Sequence, residues 1–416
     1  VEDEHPTGTG PDQAPPDLPA APTLHAPAEG VPAITDDAPR LAEVAARFAA
    51  AHGPVALDAE RASGHRYGQR AFLVQAKREG AGIALLDPAA LPDLAPFGAA
   101  VQDAEWILHS ATQDLPCLAE VGLRPSRLFD TELAARLLGL ERVGLAALVE
   151  RYLGWHLSKG HSAADWSVRP LPESYLRYAA LDVELLIELR DLLEADLQQA
   201  GKLPWAQQEF EALVAWRPAV RTDPWRRTAG VHTLRNPRAL AVVRSLWQAR
   251  EAVAEKVDRA PGRVLPDAAI VAAAAAAPRT RGALAALPAF ARNRRLPTWW
   301  GAVEAALALP EPDLPPMAQP FDGPPPTRVW AKRDPAAAAR FARARQVVTA
   351  MAAEHGMPPE VLVSPDLVRR LAWTPPTDPA PEQVAARLLE AGARPWQVDL
   401  LAGPLAGALG ALATGE

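Results

Sequence analysis

The pattern of apolar and polar positions changes character twice along the 416-residue chain. Residues 1–38 hold eight prolines and no lysine or arginine, with little apolar periodicity, which predicts a disordered or loosely docked arm. From about residue 40 the pattern becomes regular. Helical spacing covers Leu41 to Ala51. Short apolar runs at Pro54 to Ala59, Ala71 to Gln75, Ile83 to Leu86 and Trp106 to His109 predict strands, with a turn at Gly80-Ala-Gly82. Helices are predicted near Leu115 to Val121, from Asp130-Thr131 onward, over Leu145 to Leu153, and as one long element from Pro172 to about Gln199. A few strands followed by mixed strands and helices predicts an α/β or α+β domain over residues 39–205.

Beyond Trp225 the period is purely helical. Pro237 to Val257, Pro266 to Ala275, Thr280 to Leu287 and a helix from Gly301 to Leu309 form one group, predicted as a domain over 222–309. A Pro-rich stretch, 310–326, reads as a linker. Asp334 to His355, Ser364 to Leu371, Pro381 to Ala391 and Gln397 to Leu409 make a second helical domain over 327–416.

Composition adds limits. Hydrophobic content of 49% is ample for ordinary cores, and no apolar run reaches the roughly 18 residues of a membrane span. The acidic, Pro-rich beginning lacks the pattern of a secretory signal, and the single Cys117 allows no internal disulfide. A soluble cytoplasmic protein with no membrane partner is the expectation. The net charge of −7 is segregated: residues 1–216 carry 17 basic and 32 acidic side chains, whereas residues 217–301 carry 16 basic and 5 acidic. An acidic first part suits a divalent-metal site, and a basic middle part suits a phosphate backbone.

The chemistry concentrates in three short segments. Asp58 and Glu60, two apart on a predicted strand, share a face. Tyr178 and Asp182, four apart on a predicted helix, share a side. Asp114 follows His109-Ser-Ala-Thr-Gln between them in sequence. Converging carboxylates repel one another and raise each other's pKa unless cations neutralise them. Oxygen ligands without a Cys or His cluster suit Mg²⁺ or Mn²⁺, which outlines a two-metal phosphodiesterase site.

Three stretches carry a resemblance to a known family: Leu57-Asp-Ala-Glu60 with Phe72-Leu-Val-Gln75; Leu108-His-Ser-Ala-Thr-Gln-Asp114-Leu with Leu128-Phe-Asp130-Thr-Glu-Leu; and Asp165-Trp-Ser-Val-Arg-Pro-Leu171 running on to Tyr178-Ala-Ala-Leu-Asp182-Val. In this order and spacing they resemble the ribonuclease D family and the wider DEDD exonuclease superfamily. Residues 222 to 301, with Trp225-Arg-Arg and Leu246-Trp-Gln-Ala-Arg-Glu, look like an HRDC domain, and the last helical group looks like a second HRDC-like module. The resemblance implies an RNase H-like α/β exonuclease domain, with a mixed sheet flanked by helices, followed by two all-α modules. It also implies a 3′→5′ exoribonuclease releasing nucleoside 5′-monophosphates, acting on RNA such as tRNA precursors, as a monomer. A DNA exonuclease and a non-catalytic RNA-binding adaptor are the alternatives.

By the same resemblance, Asp58, Glu60, Asp114 and Asp182 would hold two divalent ions, with Asp58 bridging them, and Tyr178, the mark of the tyrosine branch, would orient the attacking water. A phenol with a pKa of about 10 is a poor base at neutral pH. Ala164 stands where the family often has serine before Asp165-Trp166, a supporting position. Gln75, His109, Lys159 and Arg169 are candidate substrate contacts, as are Trp225, Arg226 and Arg227, which pair an aromatic with charge as single-strand binders do. His161 is a further candidate for phosphate contact. Asp130 reads as a helix N-cap.

Overall fold

The computed structural model of the chain describes residues 21–158, 160–161, 163–318 and 323–410. Two short strands come first, β1 (Thr23–Leu24) and β2 (Ile34–Thr35). Asp37 accepts the Arg40 amide and so caps helix α1 (Ala38–Ala50). The strands β3 (Val55–Arg61), β4 (Ala71–Arg78) and β5 (Gly82–Leu86) form an antiparallel meander, β3 with β4 and β4 with β5, while β2 joins β5 in parallel. After helix α2 (Ala95–Ala100) come β6 (Glu105–Leu108), helix α3 (Leu115–Glu120) and β7 (Arg127–Asp130), with β6 parallel to both β3 and β7. Helices α4 (Thr131–Leu137) and α5 (Leu145–Leu153) lead to β8 (His156–Leu157). Three helices follow, α6 (Glu173–Glu184), α7 (Leu186–Gln199) and α8 (Leu203–Ala215).

The six-stranded mixed sheet has the order β2-β5-β4-β3-β6-β7. Because β3 lies between β4 and β6 and is covered on both faces, its first half is the fully buried run Val55-Ala56-Leu57. The chemistry therefore sits at the carboxyl ends of β3 and β6, where a sheet with parallel neighbours opens a crevice.

Four expectations need correction. The arm is not loose throughout: within 21–37, β1 pairs with β8 and β2 pairs with the edge of β5. The Ala28 amide also donates to Glu184. Proline-rich sequence hid these two-residue strands because they lack any periodicity of their own; residues 1–20 lie outside the described residues. Strand β7 was hidden inside what reads as the lead-in to a helix. The long helix predicted from Pro172 is two helices meeting at Leu185, and the Lys77 ammonium donates to the Glu184 carbonyl at the break. Finally, the first domain does not close at residue 205. Phe210 on α8 is buried against Phe129 of β7, with ring centroids 4.7 Å apart, so the domain continues through α8.

The two helical modules attach differently. In the first, Asn236 caps helix α9 (Pro237–Lys256), and Trp225, Leu246, Ile270, Phe290 and Trp299 form a separate core. It docks on the loop after β3 through polar contacts. Arg263 donates to the Gly64 carbonyl at 2.7 Å and Ala260 to that of His65 at 3.0 Å. Asp258 accepts from the Tyr67 amide and pairs with Arg66 and Arg70. The predicted linker is partly ordered, since Leu314 packs on this first core; residues 319–322 lie outside the described residues.

The second module has no separate main core. Val348, Leu362, Leu388 and Trp396 belong to one continuous core with the exonuclease sheet. Trp396 stacks on Trp205 of α8, centroids 5.0 Å apart and planes 15° from parallel, and its indole N–H donates to Glu209 at 3.0 Å. Gly139, at φ +75°, meets Gly356 so closely that a Cβ would fall 2.1 Å from the Gly356 carbonyl oxygen. Among the described residues no helix is long and apolar enough to cross a membrane.

Trp396→Ala removes a large side chain that is 2% exposed, and a cost of about 3–5 kcal/mol is expected. In urea unfolding the midpoint of the exonuclease domain should fall together with that of the second module. An exonuclease transition left unmoved would contradict a shared core.

Candidate active site

Asp58 and Glu60 leave β3 on one face, and α6 brings Asp182 up against them. One carboxylate oxygen from each of the three lies within 4.8 Å of the others. Glu60 is buried, and Asp58 and Asp182 are half-buried. Asp114 enters from the β6 end and is 5% exposed. It lies beside this trio, close enough for its charge to act on Glu60 and Asp182. The Arg61 guanidinium stands 4.0 Å from it. Sequence-distant acids are thus gathered at one point, without histidine or cysteine in the group.

The supports explain why so repulsive an arrangement holds. Gln75, opposite Asp58 in the β3–β4 register and fully buried, donates its amide to an Asp58 oxygen. Ser110 adopts a left-handed φ of +64°, and this turn starts the segment that delivers Asp114. Asp130 fixes the turn by accepting the amides of Ser110 and Ala111 at 3.2 and 2.8 Å while also capping α4 through Glu132 and Leu133. Its role as a cap was legible; its grip on the Asp114 turn was not. The Tyr178 hydroxyl donates to Asp182, one turn along α6. His161, at φ +57°, packs at a 42° tilt against Tyr175 with centroids 4.4 Å apart and meets Tyr178 edge-on at 5.8 Å.

Electrostatics follow from burial and crowding. Burial lifts Asp58 to about 6, moderated by the Ala59 backbone and by Arg61. Burial, then Asp58, Asp182 and Asp114, lifts Glu60 to about 10. Asp114 and Asp182 are both held well above the usual carboxylate range, first by burial and then by Asp58. Tyr178 is raised by burial and by Asp182, Glu60 and Asp58, so its phenol stays protonated at neutral pH. Burial also pushes the Cys117 thiol up to about 12. An oxygen-only donor set whose members each resist ionisation fits hard divalent cations, which remove the penalty.

The candidate substrate contacts divide sharply. His109 gives its Nδ1 to Thr131 at 2.9 Å, and burial lowers it to about 4, so it is a neutral structural imidazole. Arg169 spends its donors internally, on Asp87 at 2.6 and 2.8 Å and on the carbonyls of Phe72, Trp166 and Val168. It cannot also clamp a phosphate; it ties the segment before α6 to the sheet. Gln75 reaches the site through Asp58. Trp225 is 2% exposed inside the first helical core, so no base can stack on it, and Arg226 covers its ring at 4.4 Å while donating to Pro316. Arg227 is exposed, and Lys159 lies outside the described residues. Charge in a sequence does not reveal whether an internal carboxylate has already claimed it. Arg61 is the group that sequence reasoning missed, because regular alternation on β3 would turn it away from Glu60.

A mixed sheet with four clustered acids and a tyrosine, extended by helical modules, defines a DEDD-type 3′–5′ exonuclease, a class that uses divalent metals. Residues 32–198 match the family described as 3′-5′ exonuclease, 239–295 match the HRDC domain, and 323–409 match the 3′ to 5′ exonuclease C-terminal domain. Ribonuclease D of Gluconacetobacter diazotrophicus is 33% identical over 69% of this chain and 72% of its own length. For Ribonuclease D of Escherichia coli the values are 33%, 70% and 78%. The chain belongs to the ribonuclease D family. A crystal structure of a protein from Bifidobacterium adolescentis superimposes with a TM-score of 0.87 at 40% identity, covering 94% of this chain and 99% of that one. Escherichia coli RNase D, described as an exoribonuclease involved in structured RNA processing, gives 0.67 at 27%, covering 91% and 98%.

The raised carboxyls set a pH dependence. A group whose folded pKa exceeds its unfolded value holds an extra proton in the native state, so stability is lost as pH rises through the folded value. For Asp58 that window runs from about 4 to about 6, and for Glu60 from about 4.5 to about 10. The metal-free protein should therefore melt at lower temperature at pH 8 than at pH 5, and the gain on adding Mn²⁺ should widen over the same interval. Thermal melts in EDTA and in Mn²⁺ test this; a metal-induced gain that stays flat with pH would contradict it.

Proposed function

We propose that the acidic cleft removes nucleotides one at a time from the 3′ ends of RNA by hydrolysis of the last phosphodiester, releasing nucleoside 5′-monophosphates. The observation that carries this reading is the meeting of Asp58, Glu60 and Asp182 within 4.8 Å, with the Tyr178 hydroxyl on Asp182. Asp58, Glu60, Asp114 and Asp182 would hold two divalent ions, Mg²⁺ or Mn²⁺, which when bound lower the pKa of water and offset the charge of the pentacovalent phosphorus.

The chain's own groups do the rest. Gln75 fixes the rotamer of Asp58 from behind. Asp130 holds the Ser110 turn and so the approach of Asp114. Tyr178, protonated at working pH with its O–H given to Asp182, presents a hydroxyl oxygen that can accept from the attacking water; a phenol so reluctant to ionise positions the nucleophile and does not abstract its proton. The proximity of these groups replaces diffusional encounter with fixed orientation.

A preference for structured RNA such as 3′-extended tRNA is supported by the description of Escherichia coli RNase D and by the basic balance of residues 217–301. The unpaired 3′ terminus can be splayed into the cleft while the basic module carries phosphates of the body.

Digestion of 3′-extended tRNA, resolved at single-nucleotide steps with and without Mn²⁺, tests the reading. Stepwise shortening is expected only with metal, and slower or absent shortening of a 2′-deoxy strand would mark RNA preference. Asp58→Asn should lose more than about 100-fold in rate, since even outer-shell changes at metal sites cost 10–100-fold, while RNA affinity measured by fluorescence anisotropy stays close to wild type. Undiminished digestion by that variant would remove Asp58 from the site.

A further inference from the structure

We propose that Arg61 holds a phosphodiester of the bound strand, which makes it a substrate-binding residue of this cleavage site. The inference rests on reading the acidic cluster as the place where the strand is cut.

Three observations meet at Arg61. The first is its aim. In a regular strand Arg61 would point to the face opposite Glu60. The β3–β4 register shifts between the two, with Glu60 opposite Leu73 and Arg61 opposite Ala71. Phe72 of β4 is the extra residue, regular pairing ends there, and the guanidinium lies 4.0 Å from Asp114. The second is its freedom. A guanidinium has five N–H donors in a planar fork. Among the described residues that one contact, beyond direct hydrogen-bond distance, is the polar partner of Arg61. Its neighbours are committed: Arg66 to Ser167 and Asp258, Arg70 to Asp258, and Arg169 to Asp87.

The third is exposure. The Arg61 side chain is 28% exposed and that of Asp114 7%, so the guanidinium stands on the solvent side of that buried acid. An incoming polyanion meets four carboxylates here, and a planar cation at their rim matches two phosphate oxygens at once.

The test uses the full chain with Mn²⁺ and a 12-nucleotide RNA, comparing wild type with Arg61→Gln and Arg61→Lys. Arg61→Gln should lower kcat/KM tenfold or more, Arg61→Lys should recover part of it, and the Mn²⁺ concentration for half activity should stay within threefold. Each of the three phosphodiesters nearest the 3′ end is then replaced in turn by an uncharged methylphosphonate. The terminal one, which resists cleavage, is read as an inhibitor constant, and the other two as kcat/KM. At one of the three positions the wild-type to Arg61→Gln ratio should fall to within twofold of unity, because the charge that Arg61 holds is gone. An equal ratio at all three positions, a shift in Mn²⁺ requirement that accounts for the whole loss, or an unimpaired Arg61→Gln each overturns the proposal. Wild-type enzyme that fails to shorten any RNA would instead overturn the reading on which it rests. Thermal midpoints of the variants within a few degrees of wild type show that folding is not what is being measured.

Discussion

Mutual repulsion among carboxyl groups that the backbone will not let separate is the constraint around which this molecule is arranged. Asp58 and Glu60 are fixed by one central strand, Asp182 by a helix packed on that strand, and Asp114 by a left-handed turn at Ser110. The backbone at these positions is therefore fixed, and only side-chain rotation could spread the carboxyls apart. The surrounding polar network is therefore directed inward: Gln75 onto Asp58, Tyr178 onto Asp182, and Asp130 onto the turn that carries Asp114. Further out, Lys77 binds Glu184 at the end of α6. Buried polar groups of this kind are expensive when half satisfied and rigid when fully paired.

The two helical modules answer different needs with different physics. The first keeps its own apolar core and touches the exonuclease domain through carbonyls and the Asp258 cluster, contacts of the polar sort that permit relative motion. The second merges its apolar core with that of the catalytic domain, and its Trp396 stacks on Trp205 of α8. The part with the dense positive charge is thus the part held by polar contacts.

How much of this was legible in the sequence depended on whether the signal was local. The buried run of β3, the helical periods beyond Trp225 and the three acidic segments were readable because each repeats a short-range pattern. The strands β1 and β2 were not, since two residues paired to a distant partner leave no periodicity. The break at Leu185 was invisible because the apolar stripe continues across it; the Lys77 contact that marks it comes from another element. Substrate contacts were the weakest inference. His109, Arg169 and Trp225 are the right residue types in the right segments, yet Thr131, Asp87 and a hydrophobic core claim them. Arg61 illustrates the converse, a group beside Asp114 at the point where regular pairing ends, which no composition records.

The contact between Gly139 and Gly356 bears on how such a protein can change over generations. The Gly356 carbonyl oxygen occupies the place that a side chain on Gly139 would need, while Gly356 itself has open space beside it. A C-terminal module borrowed from a distant relative would have to lay its backbone against that same glycine as well as supply the tryptophan that lies across Trp205. Recombination can exchange the middle module with little penalty, whereas the first and last parts are heirs to one another and drift as a pair.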